Sequence, residues 1–529
     1  MAIKNRMKTE PIPVVKQHRP VAVRTFTTFD PGVRTPVVAF GLLQGDSASG
    51  RLNVAVEMHE THEVLFNRMF ARFSLWFVPG PANERFKRNM SYYERAAEGV
   101  PITDDEGAET IAFIETHNMP ATVPPIYKAL GIAAKTGTAL STCYIEGYNQ
   151  VVNYVNRNLS KSIEEREVTE TDLAPAVWGE SVFSEIVPTF DAGMIAGEMP
   201  LTVVEAKMPV HTDVAQGTAV SVRRPDDSWK GLDASGSFVS PSGTASTEAQ
   251  QLYAKLSANG ISISLANIDQ ARQLKEWAKL REGYEGHKDP YVIDRLMGGL
   301  QISEQAWFMP MLLDQKMVEV KQMKRMATDG ASLEEGVANG IAVTSLGCNV
   351  PPNPYGGVVM LIAEAIPEQL YERQPDPYLT TTDRTKLPQY DADFLNPNPV
   401  VEVLNKEIDV DHDTPNVRFG YARRNWMWAK NPTRVGGDMY APNADAATTQ
   451  ERMVIYPTDV ENPTLTAEFY LATTLGKQVF VDQDKQPFRV GIGGTIDVMG
   501  LTIIGEVHES EANYDAVRAK YPPLSGAGV

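Results

Sequence analysis

Between Arg418 and Met439 the sequence reads RFGYARRNWMWAKNPTRVGGDM, which interleaves Arg418, Arg423, Arg424, Lys430 and Arg434 with Phe419, Tyr421, Trp426 and Trp428. Bases stack on aromatic rings while Arg or Lys meets phosphate, so these residue types suit single-stranded nucleic acid. They equally suit cation–π packing within a subunit or between subunits. As a strand, Arg424, Trp426, Trp428 and Lys430 share one face and Phe419, Tyr421, Arg423 and Met427 the other. As a helix, Tyr421, Arg424 and Trp428 align. Cation and ring share a face either way, so packing and nucleic-acid contact both stay open.

Three other constellations invite chemistry. EMHETHE brings together Glu57, His59, Glu60 and His62. A zinc protease helix needs two His four residues apart with Glu between them; here the spacing is three and the preceding alternation is that of a strand. DVDHDTPNVRFG opens like a calcium loop with Asp409, Asp411 and Asp413, but Thr414 stands where Gly belongs and Gly420 where a carboxylate belongs. GIGGTIDVMG (491–500) has glycines for a dinucleotide fingerprint, yet the residues after them read as strand rather than helix, so a β-turn between strands is expected. No nucleophile elbow or phosphate-binding loop is present. Nothing in the sequence asks for an enzyme, a cofactor or a metal, though a weaker calcium site made of several carboxylates stays open.

The elements that must position these residues are mostly strands. RLNVAVEM places Leu52, Val54, Val56 and Met58 on one face. NRMFARFSLWFVPG places Met69, Ala71, Phe73, Leu75 and Phe77 on one parity and stops at Pro79-Gly80. GVVMLIAEAIP predicts a strand buried on both faces, and NPNPVVEVLNKEIDV, TLTAEFYLATT, KQPFRVGIGG and TIDVMGLTIIGEVHE predict four more. Helical spacing of Tyr144, Tyr148, Val151, Val155 and Leu159 predicts a helix near 144–160, and that of Ile268, Ala271, Leu274, Trp277, Ala278 and Arg281 another near 267–282. The polar, Gly- and Ser-rich stretch 221–247, with Arg223, Arg224, Asp226, Asp227 and Trp229, predicts an exposed loop. Many strands, few helices and Pro-rich links predict a β sandwich or barrel with large insertions.

With 529 residues the chain can bury a large core. Two cysteines, Cys143 and Cys348, exclude a disulfide framework. No apolar run follows MAIKNRMKTE and none reaches about 18 residues, which predicts neither a signal peptide nor a membrane span. The net charge of −18 excludes general coating of nucleic acid, since phosphate repels such a surface. Residues 1–24 run against that balance: Lys4, Arg6, Lys8, Lys16, Arg19 and Arg24 face Glu10 alone, with Pro11, Pro13 and Pro20 among them. They predict a basic extended arm.

The order of several segments resembles a known family. TPVVAFGLLQGDSASGRLNVAVEMHET with FARFSLWFVPGPANERFKRNM, then YKALGI with YIEGYNQVVNYVNRNLSKS, then GISISLANIDQARQLKEWAKLREGYEGHKDPYVIDRLMGGL, then LNKEI with RFGYARRNWMWAKNPTRVGGDM are in the order found in the major capsid proteins of the microviruses (Microviridae), closest to the gokushovirus-like branch. The resemblance runs from about Arg24 to Met439. The 221–247 stretch and the C-terminal PFRVGIGGTIDVMGLTIIGEVHESEANYDAV depart from it.

The resemblance implies one eight-stranded antiparallel jelly roll over 25–529 with long, partly helical insertions. It implies a T=1 shell of sixty copies built through pentamers around circular single-stranded DNA, assembled in the cytoplasm of a bacterial host. Sixty copies at −18 each would carry about −1,080, which cannot neutralise a genome. A separate small basic DNA-binding protein is therefore expected, beside a minor or pilot protein and a receptor on the host surface. Lys4, Arg6 and Lys8, with Arg423, Arg424, Trp426, Trp428, Lys430 and Arg434, are the expected DNA-facing or intersubunit residues. A β-scaffold carbohydrate-binding or carbohydrate-active protein, using Trp426 and Trp428 as a sugar platform, is the competing expectation.

Overall fold

Strand β3 (Ser47–Thr61) shows how the sequence builds the core. Leu52, Val54, Val56 and Met58 are each almost wholly buried, while Arg51, Asn53, Ala55 and Glu57 between them face out. The period of two puts one side of the strand in apolar surroundings and leaves the other in water.

The structure is a computed structural model. It describes residues 16–62, 64–86, 89–99, 111–160, 163–179, 183, 186–188, 220–223, 229–235, 238–241, 307–326, 336–390, 393, 400–429, 432–437, 440, 460–473 and 475–502. The chain divides into two compact units: 1–195 together with 301–529, and 196–300.

The first unit is mainly β and antiparallel. Its two larger sheets are built from β1 (Gln17–Phe29), β2 (Thr35–Leu42), β3, β4 (Met69–Pro79), β5 (Met311–Glu319), β6 (Lys321–Met326), β7 (Gly336–Val350), β8 (Gly357–Pro367) and β9 (Phe488–Gly500). They form a five-stranded sheet in the order β1-β9-β3-β7-β6 and a four-stranded sheet in the order β5-β4-β8-β2. Strands β5 and β6 are one run of chain: it pairs with β4 up to Glu319, then passes through buried Val320 to pair with β7. Both sheets bury their facing sides in a single core that includes Phe29, Leu52, Met58, Phe73, Phe77, Leu361 and Phe488. Side chains of this size contribute about 1.5–3 kcal/mol each on full burial.

The two sheets differ in what covers their outer sides. On the four-stranded sheet, Trp76, Val78, Val358, Met360 and Ile362 enter a second core beneath helix α3, which here is Cys143–Leu159, the third helix after α1 (Met90–Ala97) and α2 (Pro125–Leu130). Ile145, Tyr148, Val151 and Val152 form the packed face of α3. That is why β4 and β8 are apolar at both parities. Asn149, Asn153 and Asn156, spaced by four and three, line another buried side of the helix. Asn149 donates to the carbonyls of Val168 and Glu170, and Asn153 donates to and accepts from the Arg166 backbone, which fastens the next loop to the helix.

Several expectations change. Of the arm predicted for 1–24, the residues from Gln17 onward belong to β1, which pairs with β9 along its length, and residues 1–15 lie outside the described residues; Pro20 is tolerated in β1 since it is an edge strand. KQPFRVGIGG and TIDVMG are one strand, β9, with no turn at the glycines. Position 494, opposite Leu52, requires glycine because a Cβ there would collide with the Arg51 carbonyl oxygen. TLTAEFYLATT is a helical turn (Ala467–Tyr470) followed by a two-residue strand (Leu471–Ala472), since Phe469 and Tyr470 pack among other rings. In the second unit, part of the predicted 221–247 loop is a three-stranded antiparallel sheet, Val220–Arg223, Trp229–Ser235 and Phe238–Pro241, with the middle segment central. The helix expected near 267–282 lies outside the described residues. Among the described residues no helix is long and apolar enough to cross a membrane.

Candidate functional site

The basic, aromatic stretch is half strand and half helical turn. Arg418–Arg423 pairs antiparallel with Val400–Leu404, and Tyr421 bridges to Val187. Gly420 lies so close to this neighbour that a Cβ would stand 2.8 Å from both the Ile186 side chain and the Val187 carbonyl oxygen. Asn425 then takes a left-handed conformation (φ 59°), donates to Asp393 at 2.9 Å, and starts the helical turn Trp426–Ala429. Neither a continuous strand nor a continuous helix describes the segment.

This geometry decides which groups are available. Trp426 is 5% exposed and packs with Phe183, Tyr371, Val403, Ile408 and Phe419. Its ring is enclosed within the chain itself. Trp428 is 38% exposed and sits edge-on to Tyr378. Arg418 lies over the Tyr421 ring at 5.0 Å and faces Glu402 at 3.6 Å. Arg424 meets Asp393 at 3.7 Å, and Arg434 is bound to Asp376. Arg423 is exposed and also engaged within the chain. Charges satisfied in this way hold the segment onto its neighbours. Lys430 lies outside the described residues, as do Lys4, Arg6, Lys8, Arg224, Asp226 and Asp227; Arg223 and Trp229 are opposite one another across two strands.

The acidic segment before it also closes on itself. Arg373 meets Asp409 at 2.9 Å, Glu461 at 3.2 Å and Asp411 at 3.5 Å, so a guanidinium occupies the middle of the carboxylates. Burial alone would raise the Asp409 carboxyl. The Arg373 hydrogen bond and the backbone N–H groups of Asn462 and Asp411 outweigh it and hold the group below its ordinary value. Among the described residues, no group of three or more His, Cys, Asp or Glu is arranged to hold a metal ion. His59 lies near the C-terminal end of β3 and His62 just beyond it. Burial pushes the Cys348 thiol up to about 11, and Cys143 is exposed at the start of α3.

Two buried charge networks escaped the sequence reading. In the first, Glu364 of β8 is 4% exposed; it accepts from Arg72 of β4 at 2.5 Å, from the Val177 N–H at 3.3 Å, and lies 3.5 Å from Arg34. Arg34 in turn donates to Asn156 of α3 at 2.7 Å, and Arg72 to the Val177 carbonyl at 2.6 Å. The network ties α3 and the 174–177 segment to the outer side of the four-stranded sheet. Its one sequence signal was a lone carboxylate inside the apolar run GVVMLIAEAIP. In the second, Glu146 in the first turn of α3 is held by Asn83, Thr142 and Arg85, the last at 2.8 Å. It borders a groove of about 860 Å³ walled by Leu42, Phe86, Tyr93, Phe113, Tyr144 and Val358. With three donors already on it, that carboxylate is a structural tie. Against known proteins, no family model matches the chain and no curated protein matches it.

Proposed function

We propose that the chain is the major capsid protein of a microvirus-like bacteriophage, forming a T=1 shell around single-stranded DNA. The strand order carries this reading. Four strands in the order β1-β9-β3-β7 and four in the order β2-β8-β4-β5 support an eight-stranded jelly roll, taking β6 as the continuation of β5 onto the facing sheet. Viral capsid proteins use this roll, as do lectins and cupins. The long connection 80–310, between β4 and β5, supports the capsid choice, because such insertions supply the area that neighbours bury in a shell. The resemblance of four ordered segments supports it independently. Burial of Trp426 counts against the sugar platform.

On this reading the partners are other copies of the chain, the packaged DNA, a small basic DNA-binding protein, a minor or pilot protein and a host surface receptor. The protein resides in the virion after assembly in the bacterial cytoplasm. Sedimentation of the expressed chain tests it: sixty copies of 58.2 kDa make a particle of about 3.5 MDa, and a pentamer is its expected precursor. A chain that remains monomeric across concentrations and ionic strengths would overturn the reading.

A further inference from the structure

The outer side of the five-stranded sheet has no cover among the described residues, and its composition is unlike the rest of the protein. Registered across β1, β9, β3 and β7 are the rows Ala22–Thr495–Arg51–Gly347, Arg24–Gly493–Asn53–Ser345, Phe26–Gly491–Ala55–Val343 and Thr28–Arg489–Glu57–Ile341, the last continued by Lys321 of β6. Opposed residues in antiparallel strands point the same way. In a chain of net charge −18, these four rows carry Arg24, Arg51, Arg489 and Lys321 against Glu57, and the next row along β9 adds Asp497, which faces His18.

Many cations elsewhere are neutralised within the chain. Arg19, Arg34, Arg72, Arg85 and Arg373 are each held by a carboxylate, and Arg489 lies 3.8 Å from Glu57. Arg24, Arg51 and Lys321 meet no partner among the described residues. Beside them Phe26, 83% exposed, lies over Gly491, and Val343 is 69% exposed. Nothing stands within 4 Å of where a Gly493 Cβ would be, so β9 forms the floor of a shallow trough between Arg24 and Phe26 on one side and Arg51 on the other. At about 4.8 Å between strands and 3.4 Å per residue, Arg24 and Arg51 are roughly 12 Å apart.

We propose that this face binds a single-stranded polynucleotide, with Arg24, Arg51 and Lys321 on phosphates and a base stacked on Phe26. Unpaired cations give complementarity to a polyanion. An exposed ring on an open sheet selects unpaired bases, which alone offer a free face for stacking. The capsid reading enters only in making the enclosed genome the natural polynucleotide, and it moves the genome contact from the Arg418–Met439 segment to this sheet.

The test is fluorescence anisotropy of the full chain with a labelled oligothymidylate of about 20 nucleotides, titrated over salt. The wild type is expected to bind at low salt. Arg24→Gln with Arg51→Gln should lower the slope of log affinity against log salt by about 1.4, at roughly 0.7 per lost phosphate contact on a single strand. Phe26→Ala should weaken binding roughly five- to 150-fold, the range of one base–ring stack. Gly493→Val, which fills the trough where the backbone has room for a side chain, should weaken it while circular dichroism stays unchanged. Arg424→Gln should leave affinity unaltered. Absence of wild-type binding, wild-type affinity in all the sheet variants, or a Gly493→Val variant that loses only self-association would each overturn the proposal. Sedimentation of the same samples separates the two readings. Shells that form and hold DNA equally well in all the sheet variants sink this inference alone, whereas a wild type that never assembles sinks the capsid reading and leaves oligonucleotide binding to decide this one.

Discussion

Replacing Glu364 by Gln keeps the shape of the side chain and removes its charge. Arg34 and Arg72 then remain beneath α3 without their counter-ion, Arg34 with 4% of its side chain exposed. Removing one partner of a buried ion pair costs about 3–5 kcal/mol, because the desolvated charge stays behind. Against the roughly 5–15 kcal/mol that holds a domain folded, that is a large fraction. Replacing all three residues, Glu364→Leu with Arg34→Met and Arg72→Met, removes the stranded charges, and at least half of the loss should return. The remainder reflects the acceptors at Asn156 and Val177 that lose their donors, at about 1 kcal/mol each.

Urea unfolding of the unassembled chain, monitored by circular dichroism, measures both variants. The pH dependence has a definite sign. Burial alone would raise the Glu364 carboxyl, but Arg72, then Arg34 and the Val177 N–H, hold it below its ordinary value. A depressed folded-state pKa contributes stability that is complete above the unfolded carboxylate range and disappears as pH falls through the folded value. The gap between wild type and Glu364→Gln should therefore be widest near neutrality and narrow in acid. A Glu364→Gln variant within about 1 kcal/mol of wild type, or a triple variant no better than the single one, would refute the reasoning.

The packing sets three further outcomes. Trp426→Ala should cost about 3–5 kcal/mol in the same unfolding assay, while Trp428→Ala, at a partly exposed ring, should cost less than about 1 kcal/mol. Gly494→Ala should destabilise by about 1–3 kcal/mol because its Cβ meets the Arg51 carbonyl, whereas Gly493→Ala, the same added methyl one residue away, should stay within about 0.5 kcal/mol. Asp409→Asn should lower the thermal midpoint at neutral pH by loosening Arg373, with a difference that shrinks as pH falls, since the Asp409 carboxyl is held below its ordinary value.

Where the fold was legible, one-sided or two-sided burial wrote the pattern. The alternation in 47–61, the one-parity apolar residues of 69–79, the two-sided apolar run at 357–367 and the helical spacing after Cys143 each reappear as the predicted element, although 69–79 is buried on its second face as well. Misreadings came where local pattern was ambiguous. TLTAEFYLATT has strand-forming residues, but packing of Phe469 and Tyr470 turns it into a helical turn. GIGG has turn-forming residues, but pairing with β1 and β3 keeps it extended.

The candidate site was less legible, for a related reason. Residue types alone showed that Arg418–Met439 mixes rings and cations; they could not show that Trp426 turns inward after Asn425 while the arginines find carboxylates as distant as Asp376. Glu364 and Arg72 are 292 positions apart, and Phe26, Gly491, Ala55 and Val343 become one row only when four strands come into register. Burial periodicity belongs to neighbouring residues and survives in the linear order of the chain. Which charges are neutralised, and which are left facing outward, depends on contacts closed across hundreds of residues, so those properties first exist in the folded sheets.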